Sequence, residues 1–134
     1  MPMSARIQSS PRHRLGFTLI ELLVVLAIVS LLLTLVAPRY FRSLDMSKET
    51  ILQENLHRVR ETVDKFYGDH GRYPESLEEL VERQYLRAMP FDPITDSAAT
   101  WIIVAPRSNA KGKVFDIQSG APGKASDGRA FQEL

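Results

Sequence analysis

Glu21 is the only charged side chain in a run of 21 residues, Phe17 to Ala37. An ionised group inside such a run is costly, by about 2.5–3.5 kcal/mol at the centre of a membrane span and less near its edge. A charge retained there usually has a named partner. The second chemical feature is Gly16, which closes a basic leader just before the apolar run. A secretory signal is cut after its apolar stretch. A cut at Gly16 instead leaves the run on the mature chain and turns Phe17 into a new amino terminus. An α-amino group has an ordinary pKa of about 7.7–8.0, so it is largely cationic and suited to pair with a carboxylate. Elsewhere the chemistry is sparse. The histidines are His13, His57 and His70, and there is no glycine-rich phosphate loop or hydrolase serine motif. Glu78, Glu79 and Glu82 are spaced as a helix surface. Trp101 could stack on a sugar or peptide, but its place at a strand start favours the core. The chain reads as no enzyme and has no catalytic residues to offer.

The element that must carry Glu21 is long. At about 1.5 Å per residue, Phe17–Ala37 as a helix covers about 30 Å, the hydrocarbon thickness of a bilayer. A core helix apolar on every side would need far more chain around it than is present. The run therefore reads as a membrane span. The leader, residues 1–16, carries Arg6, Arg12 and Arg14 and no acid, which marks the cytoplasmic side. Without it the chain has 14 basic and 16 acidic side chains. That balance gives no broad attraction to nucleic acid. There is no cysteine, so disulfides and thiolate zinc sites are excluded.

Gly16-Phe17-Thr18-Leu19-Ile20-Glu21, after a basic leader and before a long apolar helix, closely resembles the type III signal of type IV pilins and of type II secretion pseudopilins. The resemblance implies cleavage between Gly16 and Phe17 by a prepilin peptidase and N-methylation of Phe17. It also gives Glu21 its partner, the α-amino group of Phe17 on a neighbouring subunit.

The rest of the chain supports one small domain. Pro38 follows the span; it removes a helical hydrogen bond and is expected to kink the helix. In the family the helix continues past such a proline into a soluble domain. Leu52, Leu56, Val59, Val63 and Phe66 recur at spacings of 4, 3, 4 and 3, which makes one helical face. Glu49, Glu54, Arg58, Glu61, Asp64 and Lys65 fall mostly elsewhere and read as a solvated surface. Gly68 and Gly71 are expected to end the helix. The expected layout is a leader over 1–16, an assembly helix over 17–37 and a periplasmic domain over 38–134. Within that domain we expect a helix over 38–68, a short helix over 75–84, a hairpin over 100–118 and an irregular tail over 119–134. Leu77, Leu80 and Val81 line the short helix, with Tyr85 and Leu86 beneath it. Pro90, Asp92 and Pro93 make an irregular loop. Trp101–Val104 and Val114–Ile117 form the strands, turned by Ser108–Gly112. The fold class is α+β: a long N-terminal helix packed on a small antiparallel sheet, pilin-like.

The order of Arg72-Tyr73-Pro74, Phe91-Asp92-Pro93, an aromatic strand and Val114-Phe115-Asp116-Ile117 is similar to the major pseudopilin of type II secretion. That resemblance implies a structural subunit of a filament with other pseudopilins, an inner-membrane platform protein, an assembly ATPase and, in the tail, calcium. Here the tail offers only Asp127 and Glu133, with Lys124 and Arg129 interleaved. Asp116, Ser119, Asp127 and backbone carbonyls make the candidate site for a weakly held calcium ion; otherwise no cofactor is expected. The resemblance also covers type IV pilins and competence pseudopilins. A membrane-anchored periplasmic enzyme is the remaining alternative.

Overall fold

The computed structural model describes residues 1–10, 15–107 and 109–134. Arg12, His13 and Arg14 of the leader and Ser108 of the expected turn lie outside these residues. The elements run α1 (Leu19–His70), α2 (Leu77–Glu82), β1 (Ile102–Val104), β2 (Asp116–Gln118) and a 3-10 helix, Phe131–Glu133. The chain divides into two compact units, Met1–Arg39 and Tyr40–Leu134. The first unit holds the apolar start of α1, whose large side chains are all exposed.

In the second unit, α1 buries Leu52, Leu56, Val59, Val63 and Phe66, the face read from their spacing. They join Leu77 and Leu80 of α2, Leu86, Val114, Ile117, Ala121, Ala125 and Phe131 in one cluster. Each large apolar side chain so enclosed contributes about 1.5–3 kcal/mol. Val81 and Tyr85 pack against this cluster half-buried rather than within it. Trp101 does the same, and its indole N–H donates to the Pro90 carbonyl at 2.8 Å.

The helix boundaries differ from expectation for local reasons. Gly68 stays helical, and α1 runs on to His70. Gly71 then takes φ +69°, and its N–H donates to the Tyr67 carbonyl at 2.8 Å, a left-handed helix stop. The second helix is shorter than 75–84. Ser76 caps it, its hydroxyl accepting from the Glu79 N–H at 3.2 Å. Pro74 starts no helix; its carbonyl accepts from the N–H groups of Lys113 and Val114. At the other end Gln84 turns left-handed with φ +64°.

β1 and β2 pair antiparallel, with Ile103 opposite Ile117. The second strand begins at Asp116 rather than Val114 because the amides of residues 113 and 114 are taken by Pro74. The loop around Asp92 is more regular than its prolines suggest. Asp92 and Ser97 bridge each other, 2.9 Å one way and 3.3 Å the other. The tail is also ordered, by a Lys124–Ala130 bridge and the 3-10 helix.

Candidate functional site

Thr18 and Glu21 close a reciprocal pair at the start of α1. The Glu21 N–H donates to the Thr18 hydroxyl at 3.2 Å, and the Thr18 N–H donates to a Glu21 carboxylate oxygen at 3.0 Å. The Thr18 carbonyl also accepts from the Leu22 N–H at 3.2 Å. This is a capping box, Thr-x-x-Glu, which satisfies two amides that a helix start otherwise leaves without partners. The spacing of Thr18 and Glu21 carries this signal, which adds a cap within the chain to the interchain partner that the resemblance implies for Glu21. The carboxylate sits where the positive end of the helix dipole favours it. It has lone pairs for more donors than the Thr18 amide, so a cap does not preclude a second cationic partner.

Around this pair the surface is apolar. Phe17 is 95% exposed, and Leu19 to Val36 present leucine, isoleucine and valine side chains on every side. The first helix is long and apolar enough to cross a membrane, and among the described residues none of its most apolar window is buried. Among the described residues nothing lies within 4 Å of a Cβ added at Gly16. Pro38 lies within α1; lacking an N–H, it leaves the Thr34 carbonyl without its helical donor.

Residues 11–37 match the prokaryotic N-terminal methylation motif. Over 98 residues the chain is 32% identical to the type II secretion system core protein G of Pseudomonas aeruginosa, covering 61% of this chain and 69% of that relative. The chain belongs to the type II secretion core protein G family. A second core protein G, from Klebsiella michiganensis, is 26% identical over 129 residues, or 84% of this chain and 89% of the relative. The competence protein ComGC of Halalkalibacterium halodurans is 28% identical over 74 residues, 55% of this chain and 72% of that protein. No solved structure matches the chain significantly. As a core protein G family member, the chain has the long helix and small antiparallel sheet expected of it.

The three calcium candidates are each turned to a different partner. Asp116 accepts from the Arg60 Nε–H at 2.7 Å. Ser119 is fully buried and donates its hydroxyl to Asp92 at 2.6 Å. Asp127 accepts from the backbone N–H and the guanidinium of Arg129, which hold its carboxyl below the usual range. Among the described residues, no group of three or more His, Asp or Glu side chains is placed to hold a metal ion.

Two polar groups, Asp92 and Glu79, take part in contacts that the sequence does not assign to them. Asp92 is fully buried, and its Oδ1 accepts from the N–H groups of Ile94 and Thr95 at 2.9 and 3.3 Å. Its place at the head of an Asp-Pro turn is the signal that was available. Glu79 is no solvated helix residue. Its side chain is 14% exposed and receives both arms of Arg72 and the Glu75 N–H. The Arg72 hydrogen bonds hold its carboxyl down to about 2.

Proposed function

We propose that the chain is a structural pseudopilin that assembles through its N-terminal helix into a periplasmic pseudopilus of a type II secretion system, whose growth drives protein export. In this reading a prepilin peptidase cuts between Gly16 and Phe17, and Phe17 is N-methylated. The leader faces the cytoplasm, residues 17–37 cross the bacterial inner membrane once, and residues 38–134 lie in the periplasm. The observation that carries the reading is the start of α1: an apolar surface whose large side chains are all exposed among the described residues, with one carboxylate near its end. Lipid covers that surface before assembly and sister helices cover it afterwards. The Phe17 amine of one subunit against Glu21 of the next gives both charges a partner in low dielectric and fixes their axial register.

A head-to-tail contact that does not close on itself builds a helical filament. Lifting an apolar helix out of lipid is uphill until the next subunit covers it, so assembly is driven. In this reading an inner-membrane platform protein and a cytoplasmic ATPase supply the drive, and other pseudopilins share the filament. Pro38 gives the helix a place to bend.

The test is Gly16→Val. Among the described residues no atom lies within 4 Å of a Cβ added at Gly16, so the change is aimed at processing. The expected result is a chain that keeps its leader by mass spectrometry and a cell that retains its exoproteins. Normal cleavage with normal export defeats the proposal. The ComGC likeness keeps a second reading in view, a competence or type IV pilus subunit. Deleting the gene and assaying secreted hydrolases, surface pili and transformation separately distinguishes the three.

A further inference from the structure

The tail turn is tied by protein groups. The Ala125 N–H donates to the Arg129 carbonyl at 2.8 Å, the Gly128 N–H to the Ala125 carbonyl at 3.0 Å and the Phe131 N–H to the Gly123 carbonyl at 3.3 Å. Gly128, with φ +87°, turns the tip. Ala125 and Phe131 anchor its base in the core. The tip is held from α1. One oxygen of Glu49 accepts from the Ser126 N–H at 2.8 Å and the other from the Ser126 hydroxyl at 2.6 Å. A carboxylate that accepts two donors in this way makes the stronger class of hydrogen bond.

A calcium ion asks for six to eight oxygens, several of them anionic. Residues 119–134 carry Lys124, Arg129, Asp127 and Glu133, with no net charge. The Asp127 carboxylate is occupied by Arg129 through its backbone N–H, its Nε–H at 2.8 Å and its Nη2 at 2.7 Å. Asp116 is held by Arg60, and Ser119 by Asp92. The carbonyls of Gly123, Ala125 and Arg129 already accept backbone hydrogen bonds. The donor set therefore does not fit the ion that the resemblance implies.

We propose that in this chain a protein clasp, Glu49 of α1 on the amide and hydroxyl of Ser126, replaces a bound calcium ion as the fastener of the C-terminal turn. Its consequence is a pseudopilin head whose stability does not follow the calcium level around it.

The experiment uses the full chain in detergent micelles. Thermal unfolding is followed in EGTA, in magnesium chloride and in calcium chloride at about 10 mM, above the ~1 mM dissociation constant of weak extracellular calcium sites. Trypsin cleavage after Lys124 and Arg129 reports on the turn itself. The wild type is expected to melt at one temperature in all three media. Glu49→Ala is expected to lower the midpoint by about 4–8 °C, the usual response to losing one good interaction in a small domain. It should also speed both cleavages several-fold. Ser126→Ala removes one arm and should do less, and the double variant should be no worse than Glu49→Ala alone. A calcium-specific rise of several degrees in the wild type overturns the proposal. So does a Glu49→Ala chain that melts and resists trypsin like the wild type.

Discussion

The Asp92 carboxylate and the Ser119 hydroxyl are 2.6 Å apart, and neither residue is exposed to solvent. Between them they tie the 92–97 turn to the segment leaving β2. The Ser119 oxygen accepts in turn from the Ala121 N–H at 3.2 Å. Replacing Asp92 by Ala strands the Ile94 and Thr95 amides and the Ser119 hydroxyl inside the fold. A buried donor left without its partner costs about 1–3 kcal/mol. Asp92→Ala is therefore expected to lose about 3 kcal/mol or more in urea denaturation. Ser119→Ala leaves a smaller deficit, and its cost is expected to be about half.

These same segments divide what the sequence displays from what it conceals. The buried face of α1 was readable because five apolar residues repeat with the helical period, and a helix has one way to bury such a stripe. The hairpin was readable as two β-rich runs, but its register was not: the amides of Lys113 and Val114 went to Pro74, a pairing no local pattern announces. Glu49, Glu79 and Asp92 were hardest. A glutamate on a helix surface has the same spacing whether it faces water or a loop 77 residues away. Long-range polar contacts leave no periodic trace, so the tail read as irregular although it is fastened. Thr18 and Glu21 are different, since their capping spacing was in plain view.

Arg72 and Glu79 give a pH dependence with a definite sign. Glu79 has its carboxyl at about 2, below its ordinary 4.5, chiefly through the hydrogen bonds from Arg72. A carboxyl with a lowered folded pKa stabilises the fold fully above its unfolded value. That stability drains away as pH falls from about 4.5 towards 2. Glu79→Gln removes the charge at every pH. The stability gap between wild type and Glu79→Gln, read from melting curves, should be widest above pH 5 and shrink steadily towards pH 2. A gap that stays constant over that window assigns the effect to packing instead.

Two glycines should respond to alanine in opposite directions. Gly112 has φ +103°, and an added Cβ falls 2.1 Å from the Tyr73 carbonyl oxygen. That contact forces apart the segments joined by the Tyr73 N–H to Lys111 carbonyl bond of 2.9 Å. Gly112→Ala is expected to lose several kcal/mol, if it folds. Gly68 lies inside α1, and among the described residues nothing is within 4 Å of its missing Cβ. Gly68→Ala should gain about 0.5–1 kcal/mol from helix propensity. Chemical denaturation of the two variants beside the wild type checks both signs.

Two roles are open to Glu21, and substitutions separate them. As the acceptor of a capping box it needs only an oxygen within reach of the Thr18 N–H, 3.0 Å away, and glutamine supplies one equally well. As the partner of a neighbouring amine it needs its charge, which glutamine lacks. Thr18→Ala breaks the cap while keeping that charge, at a cost of about 1 kcal/mol to the helix start. If the charge governs assembly, Glu21→Gln and Glu21→Val should both insert in the membrane, lose their leader normally and cross-link into filaments at a small fraction of the wild-type yield. Thr18→Ala should assemble far better than either. If capping is the whole role, Glu21→Gln assembles like the wild type and Thr18→Ala fails with Glu21→Val. Cross-linked oligomers resolved on a gel, beside the mass of each mature chain, read the outcome directly. Filaments at full yield from Glu21→Gln rule out the interchain charge pair.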